Sequence, residues 1–561
     1  MKHYDVVIAG GGPAGCTVAA LVKKYTPHLK VLLLEKEHFP RHHIGESLLA
    51  GASPVLHDMG VYDRINNYGF IEKSGATYVW GHDRQPWGFD FDRVVKPLLD
   101  KGIPLPEMYT KGWQVRRAEY DHQLLLHAAD MGVEVRQGAR VTEVLRDGDD
   151  KLNARVIGVK VRDASGLHTI ECTWLMDCTG QDALIGHELN NRQYSEKMNN
   201  YALYGYWTDY NWLEEYMGHP RFTRIFLATS AHGWFWCIPA SERILSIGLV
   251  TNRQVIRDMT GSPLDLYLNE MQTCPEIAAI LDGARLTKLT PDQNRKLFAV
   301  QDWSYESRQM VGPGWAMAGD AAGFVDPILS SGVMIAHELG QKAAYTINSS
   351  FAAASDAEIE RYWQFYQETY RTYLAAYRQM AEFWYGNNFL MENWWWEAER
   401  TINRNSEMAL NDGETFMRLA SGYAYRAESL SLFGSYPLEE AQQLVNGLFG
   451  VPAERVNPEA HYAGRRLSLK PNMQLTEGLY YFQGLIRKTR RVVNRETGQY
   501  LDLHPAEDVL LRALNGQNTL NDLNAIVSQI QSRPQRMPVR NGIDLVVQLD
   551  NLGVLACSDG P

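Results

Sequence analysis

Cysteine is scarce in this chain and unarranged: six residues, at positions 16, 172, 178, 237, 274 and 557 of 561, show no paired ligand spacing. That argues against a disulfide framework and against a metal site, and it implies reduced thiols. No run of about 18 uncharged apolar residues occurs, so no membrane span is expected. The N-terminus enters an apolar segment directly, without a charged-then-apolar leader, so a cytoplasmic location is expected. Positive charge is also short, with 55 Lys and Arg against 66 Asp and Glu and a net charge of −11. That balance argues against nucleic acid as a partner. There is no internal repeat and no low-complexity tract. What remains is a large globular chain, 45% hydrophobic, long enough for three or four domain-sized units.

The N-terminal segment carries the first motif. Tyr4 to Ala9 is a buried-strand run, followed by Gly10-Gly11-Gly12-Pro13-Ala14-Gly15 and an Ala-rich apolar stretch from Cys16 to Val22. This is the strand, glycine turn and helix order that a pyrophosphate needs. Gly10 permits the tight turn, Gly12 lets the backbone approach the phosphate, and Gly15 allows close packing of helix on strand, with Pro13 and Ala14 opening the helix. A second strand, Val31 to Leu34, ends in Glu35, where an acid would bind the adenosine ribose.

A second motif lies at His232-Gly233-Trp234-Phe235-Trp236-Cys237-Ile238-Pro239. Alternation places Trp234 and Trp236 on one face of a strand, where two rigid indoles can wall a pocket. Strands are expected near Ala76 to Trp80 and from Trp234 to Val250, on the substrate side. From about 355 to 430 the pattern turns helical and aromatic, with Tyr362, Trp363, Tyr366, Tyr370, Tyr373 and Tyr377 at core-stripe spacing. Trp394-Trp395-Trp396 cannot all face one core, so at least one is expected to line a cavity or partner surface. Helices are expected near Ala506 to Leu514 and Leu520 to Ile530.

Together these motifs resemble the flavin-dependent halogenases, whose hallmark Gly-Trp-x-Trp-x-Ile-Pro reads here as Gly233, Trp234, Trp236, Ile238 and Pro239. The resemblance spans about the first 400 residues. It is nearest to the branch of the chloramphenicol-pathway halogenase, through Lys73-Ser74-Gly75-Ala76-Thr77-Tyr78-Val79-Trp80-Gly81 and Val300-Gln301-Asp302-Trp303-Ser304-Tyr305. It implies an α/β fold: a Rossmann-like FAD-binding body with an antiparallel substrate-side sheet and a C-terminal helical extension. Motif order then divides the chain into an interleaved flavin body over 1–350, an aromatic helical region over 351–474 and a small winged-helix-like module over 475–561.

The same resemblance assigns roles. Asp320 of Gly319-Asp320-Ala321 would contact the flavin ribityl chain, Arg41 and Arg117 would line the flavin, and Asp302 would bind it covalently at the 8α-methyl. Reduced FAD, dioxygen and a halide, chloride or bromide, would give hypohalous acid. Lys73 would then take up that oxidant, either by hydrogen bonding or as a chloramine. Trp234 and Trp236 would keep substrate off the flavin, and the amides at Ser331-Gly332 would hold the halide. Halogenases of free tryptophan carry a glutamate where this chain has Leu329. A self-activated substrate, phenolic or acyl, is therefore expected, tethered to a carrier protein in natural-product biosynthesis. Arg487, Lys488, Arg490 and Arg491 are a candidate docking patch for an acidic carrier. No separate NADPH motif is present, which implies a partner flavin reductase. Two other readings share the FAD motifs: a flavin monooxygenase without halogenation, and a non-catalytic flavoprotein module.

Overall fold

The computed structural model describes residues 2–80, 84, 86–91, 111–196, 198–258, 260–289, 295–301, 304–386, 458–532, 539, 540 and 542–558. The chain divides into two compact units, one of Met1–Phe91 with Glu107–Phe389, the other of Asp92–Pro106 with Leu390–Pro561.

The first unit is built on two large sheets, with a small three-stranded one of Arg192–Tyr194, Tyr305–Ser307 and Gly323–Phe324. In one, five strands run parallel in the order Trp315–Met317, Gly166–Asp177, His3–Ala9, Val31–Glu35 and Glu134–Gln137. The apolar runs Val6–Ala9, Val31–Leu34 and Trp174–Met176 are buried on both faces, as parallel strands with helical crossovers must be. The helix Pro13–Tyr25 follows the first strand and is buried along its first ten residues. It packs against the long helix Gly332–Ala352.

The second sheet carries Asn200–Thr208, Ile244–Asn252, Gly233–Ser241, Phe222–Thr229, Ile71–Val79 and Pro86–Asp90 as neighbours in that order. All these pairs are antiparallel except Phe222–Thr229 with Ile71–Val79. Its two faces differ. Phe226, Phe235, Cys237, Leu245, Ile247 and Leu249 point into a core shared with Tyr267, Met271, Ile277 and Ile280 of the helices Pro263–Gln272 and Pro275–Ile280. Trp234, Trp236 and Ile238 point the other way, as the period of two requires.

The aromatic helix Asp356–Gly386 belongs to this unit. Its tyrosines do more than fill the core. Tyr366 donates its hydroxyl to the Met317 carbonyl at 2.8 Å and Tyr370 to the Gly319 carbonyl at 2.6 Å. Trp394, Trp395 and Trp396 lie outside the described residues.

In the second unit, a hairpin of Met473–Phe482 and Leu485–Asn494 pairs with Tyr500–Asp502, and Arg466–Leu469 pairs with Leu555–Ser558. Helices Asp508–Ala513, Leu520–Gln531 and Gly542–Asn551 share a core with them through Leu467, Val492, Leu510, Leu523, Leu545 and Leu549. All six cysteines are free thiols. No described helix is long and apolar enough to cross a membrane, and no metal-ligating cluster occurs among the described residues.

Candidate active site

A cavity of about 1200 Å³ runs through the first unit, from the ends of the parallel strands to the indole face of the second sheet. Gly10, Gly12, Pro13, Ala14 and Glu35 line it at one end. Gly10 has φ +107°, and a Cβ there would meet the Cys178 carbonyl at 2.2 Å, so only glycine makes this turn. A Cβ on Gly15 would strike the Gly10 carbonyl at 2.0 Å, which fixes its packing role; it does not line the cavity. Gly12 faces open space, with Arg41 at 3.7 Å as its nearest neighbour. The N-terminus of the 13-residue helix therefore presents amides to the cavity, a ready anion site. Glu35 is buried and accepts from the Gly11 amide at 2.8 Å and the Glu37 amide at 2.9 Å, so its carboxylate also braces the glycine turn.

Midway along the cavity stand Arg41, Arg117 and Asp320. Arg117 is buried, grips Asp121 bidentately at 2.8 and 3.0 Å, and donates to the Ile44 carbonyl at 2.7 Å. Burial disfavours the Asp121 charge, yet Arg117 beside it holds that carboxyl below the usual range. Arg41 reaches Asp121 at 3.6 Å and Glu35 at 3.9 Å. Burial pushes the Asp320 carboxyl up to about 6, against the pull of Arg117. Asp302 lies outside the described residues.

Beyond Asp320 the chain forms a loop before the helix Gly332–Ala352. The Asp326 carboxylate accepts from the Ile328 amide at 3.0 Å, and Ser330 sits in the left-handed region with φ +54°. A non-glycine residue there is uncommon and marks a backbone held by its surroundings. Ser331 is the N-cap residue, but its hydroxyl makes no capping bond. Ser330 and Gly332 line the cavity, whereas Ser331 is buried beside it. A Cβ on Gly332 would meet the Phe324 ring at 2.5 Å.

The sheet end of the cavity is walled by Ala202, Tyr204, Ile225, Trp236, Ile238 and Val300. Trp234 stands next to Trp236, outside the wall, at 6.3 Å between ring centroids. Lys73 lies inside the strand Ile71–Val79 rather than ahead of it. Plain alternation back from Val79, which packs in the helix-covered core, would put Lys73 on that same covered face. The register shifts between Thr223 and Arg224, so that Ser74 is bulged and Lys73 pairs with Thr223. The bulge moves Lys73 to the face of Ile225, one two-residue step, roughly 7 Å, beyond the cavity wall. Lys73 is 1% exposed, with its ammonium 5.6 Å from the Phe91 ring centre, and burial lowers its pKa to about 7. The cavity wall does not itself include Lys73.

Glu46 belongs to the site and carried no sequence signal. It lines the cavity and is 2% exposed, and its Oε2 has no hydrogen-bond partner among the described residues. The Ser246 and Tyr206 hydroxyls stand beside it and favour its charged form. Burial pushes its carboxyl up to about 7 against them and Arg117. Such an acid can hold a proton near neutral pH and give it up inside the cavity. His42, at 2.9 Å from the Tyr206 hydroxyl and stacked on Phe298, closes this side.

The arrangement of dinucleotide cradle, buried arginine–aspartate pair and indole wall has relatives. The tryptophan halogenase family model matches residues 5–111 and 107–418. The chain belongs to the tryptophan halogenase family. It is similar to the flavin-dependent halogenase armH3 of Armillaria mellea, 31% identical over 364 residues, covering 62% of this chain and 67% of that one. It is also similar to the 1H-pyrrole-2-carbonyl-[peptidyl-carrier protein] chlorinase of Pseudomonas fluorescens, 28% identical over 393 residues, covering 68% and 82%. In fold it resembles the crystal structure of CmlS, a flavin-dependent halogenase, with TM-score 0.70 and 23% identity over 100% of this chain and 97% of that one.

This halogenase is therefore a flavin-dependent enzyme that uses FAD and a halide. The residues present suit that cofactor: the open space over Gly12, the uncapped helix start and a cavity larger than a drug-sized ligand needs all fit a dinucleotide. Three of the four basic residues of the second unit lie beside carboxylates. Arg491 binds Asp502 at 2.6 Å, Arg490 binds Asp508 at 3.1 Å and Lys488 lies 4.0 Å from Glu477.

Proposed function

We propose that the halogenase delivers an oxidised halogen through Lys73 to a self-activated substrate, phenolic or acyl, carried on a carrier protein. The observation that carries this reading is the bulge at Ser74, which turns a buried, easily deprotonated lysine toward the cavity side of the sheet. Bound reduced FAD, with dioxygen and halide, supplies the oxidised halogen. Gly10, Gly12, Pro13, Ala14 and Glu35 hold its nucleotide, and Arg41, Arg117 and Asp320 its central part. Asp302 is the attachment point for a covalent link. The turn at Ser330 with the amides of Ser331 and Gly332 holds the halide, because successive amides form an anion nest without a charged side chain.

In a dry setting, a lysine with pKa about 7 can donate to hypohalous acid when protonated or attack it when neutral. Trp236 on the wall, backed by Trp234, keeps the substrate at a distance from the flavin. Leu329 offers neither a proton acceptor nor a charge, in keeping with a substrate that supplies its own electron density. Carrier tethering draws support from the relative that acts on a carrier-bound pyrrole. A separate flavin reductase supplies the reduced cofactor.

The test is turnover with a flavin reductase, NADH, chloride and phenolic or acyl substrates, free and carrier-loaded, followed by mass spectrometry. A chlorine isotope doublet that is lost in Lys73→Ala, while flavin reoxidation persists, is expected. Oxygen insertion without chlorine, or an unchanged doublet in Lys73→Ala, overturns the reading. Acid-stable flavin retained by wild type and lost in Asp302→Ala is the expected sign of the covalent link. Alanine at Arg487, Lys488, Arg490 and Arg491 is expected to raise KM for the loaded carrier and spare flavin oxidation; an unchanged KM removes the patch.

A further inference from the structure

Three buried tryptophans lead away from the cavity in single file. Trp236 lines the wall, Trp234 follows at 6.3 Å between ring centroids, and Trp80 follows Trp234 at 6.1 Å. The planes are inclined by 59° and 51°, so neighbouring rings are tilted against each other rather than stacked. Trp236 is pinned: a Cβ on Gly248, its cross-strand partner, would fall 2.1 Å from the indole, and its N–H points at the Ser246 hydroxyl at 3.5 Å. Bulk alone would account for a wall, and phenylalanine or leucine would provide it. Indole is distinguished from those side chains by how readily it gives up one electron.

We propose that Trp236, Trp234 and Trp80 form a conduit that carries one-electron oxidising equivalents out of the cavity, protecting the site that generates a strong oxidant. The oxidant is a halogen-centred radical or a photoexcited flavin. Trp236 gives it one electron and becomes a radical cation; Trp234 refills Trp236, and Trp80 refills Trp234. The Trp80 Nε1 is buried, so its radical cation keeps the indole proton, and a soluble thiolate returns one electron to it. Net, the oxidant gains one electron and the thiolate becomes a thiyl radical. No bond of the protein is broken.

A second direction runs through Tyr204 to Tyr206, 6.2 Å beyond it with His42 at its hydroxyl, and its first step is the unfavourable one. Tyr204 lies 6.0 Å from Trp236, and Phe298 lies 5.1 Å from Tyr204. Oxidising a phenol requires its proton to leave, and Tyr204 has no hydrogen-bonded acceptor among the described residues; Phe298 is not readily oxidised. An indole cation can pass its hole on before losing a proton.

The experiment is laser-flash absorption on the FAD-loaded protein, comparing wild type with Trp236→Phe, Trp234→Phe, Trp80→Phe and Tyr204→Phe. Each variant is first matched for bound flavin by its visible spectrum. Phenylalanine keeps the packing and removes the electron donor. A long-lived tryptophanyl radical is expected in wild type and Tyr204→Phe, with loss of the long-lived fraction in the three tryptophan variants. Peptide mapping after continuous illumination in air is expected to place oxygen adducts at Trp80 in wild type and at Trp236 in Trp234→Phe. Retention of the wild-type radical lifetime in Trp234→Phe and Trp80→Phe, or adducts confined to Trp236 in wild type, overturns the conduit.

Discussion

His337 donates from Nδ1 to the Thr17 hydroxyl across 2.8 Å, because Thr17 gives its own proton to the Pro13 carbonyl at 2.7 Å. The other ring nitrogen then accepts from the Tyr120 hydroxyl at 2.7 Å. One buried imidazole thus ties the helix that starts at Pro13, the helix that starts at Arg117 and the helix that starts at Gly332. His337→Leu strands the buried Tyr120 hydroxyl and removes the donor to Thr17, which keeps its bond to the Pro13 carbonyl, so a loss of about 1–3 kcal/mol is expected in urea unfolding. Thr17→Val in the same background is expected to add less than its separate cost, since the shared bond is already gone.

Lys73 supplies a pH test. Its folded pKa, about 7, lies below the unfolded value of 10.5, so between those limits the unfolded chain binds more protons and stability rises with pH. Lys73→Met is expected to remove that slope, up to about 1.4 kcal/mol per pH unit. Chemical denaturation at pH 7, 8 and 9 measures it. Parallel curves for the two proteins would mean that the lysine is solvated in the folded state.

Glu46 acts with the opposite sign. Its folded pKa, about 7, lies above the ordinary 4.5, so the folded protein binds the extra proton between those values and stability falls as pH rises through that window. Glu46→Gln keeps the neutral shape and is expected to flatten the dependence between pH 5 and 7. Thermal unfolding of the pair across that range checks it.

Gly248→Ala drives a methyl into the Trp236 indole. Overpacking of this kind costs about 1–3 kcal/mol. Because Trp236 lines the cavity, weaker FAD binding is expected alongside a lower Tm. A variant with unchanged Tm and unchanged flavin affinity would show that the indole moves freely.

Much of the site was legible because it is local chain geometry. The strand, glycine turn and helix at Tyr4 to Val22 need only neighbouring residues, and the two-residue spacing of Trp234 and Trp236 settles their shared face once a strand is recognised. The tyrosines of the helix Asp356–Gly386 showed their stripe, yet not that Tyr366 and Tyr370 hold the carbonyls beside Asp320. Glu46 sits in a stretch with no periodic pattern. Its altered acidity arises from burial beside Ser246, Tyr206 and Arg117, residues far away in sequence.

The sequence by itself determined the α/β body, the dinucleotide turn and the indole pair, since each follows from steric rules acting over a few residues. Tertiary structure alone decided where Lys73 points. A one-residue register shift between Thr223 and Arg224 overrides the alternation of the strand, and that shift exists only once two segments some 150 residues apart have paired. Tertiary packing likewise decided which acids hold protons, because desolvation depends on neighbours that the chain brings together only on folding.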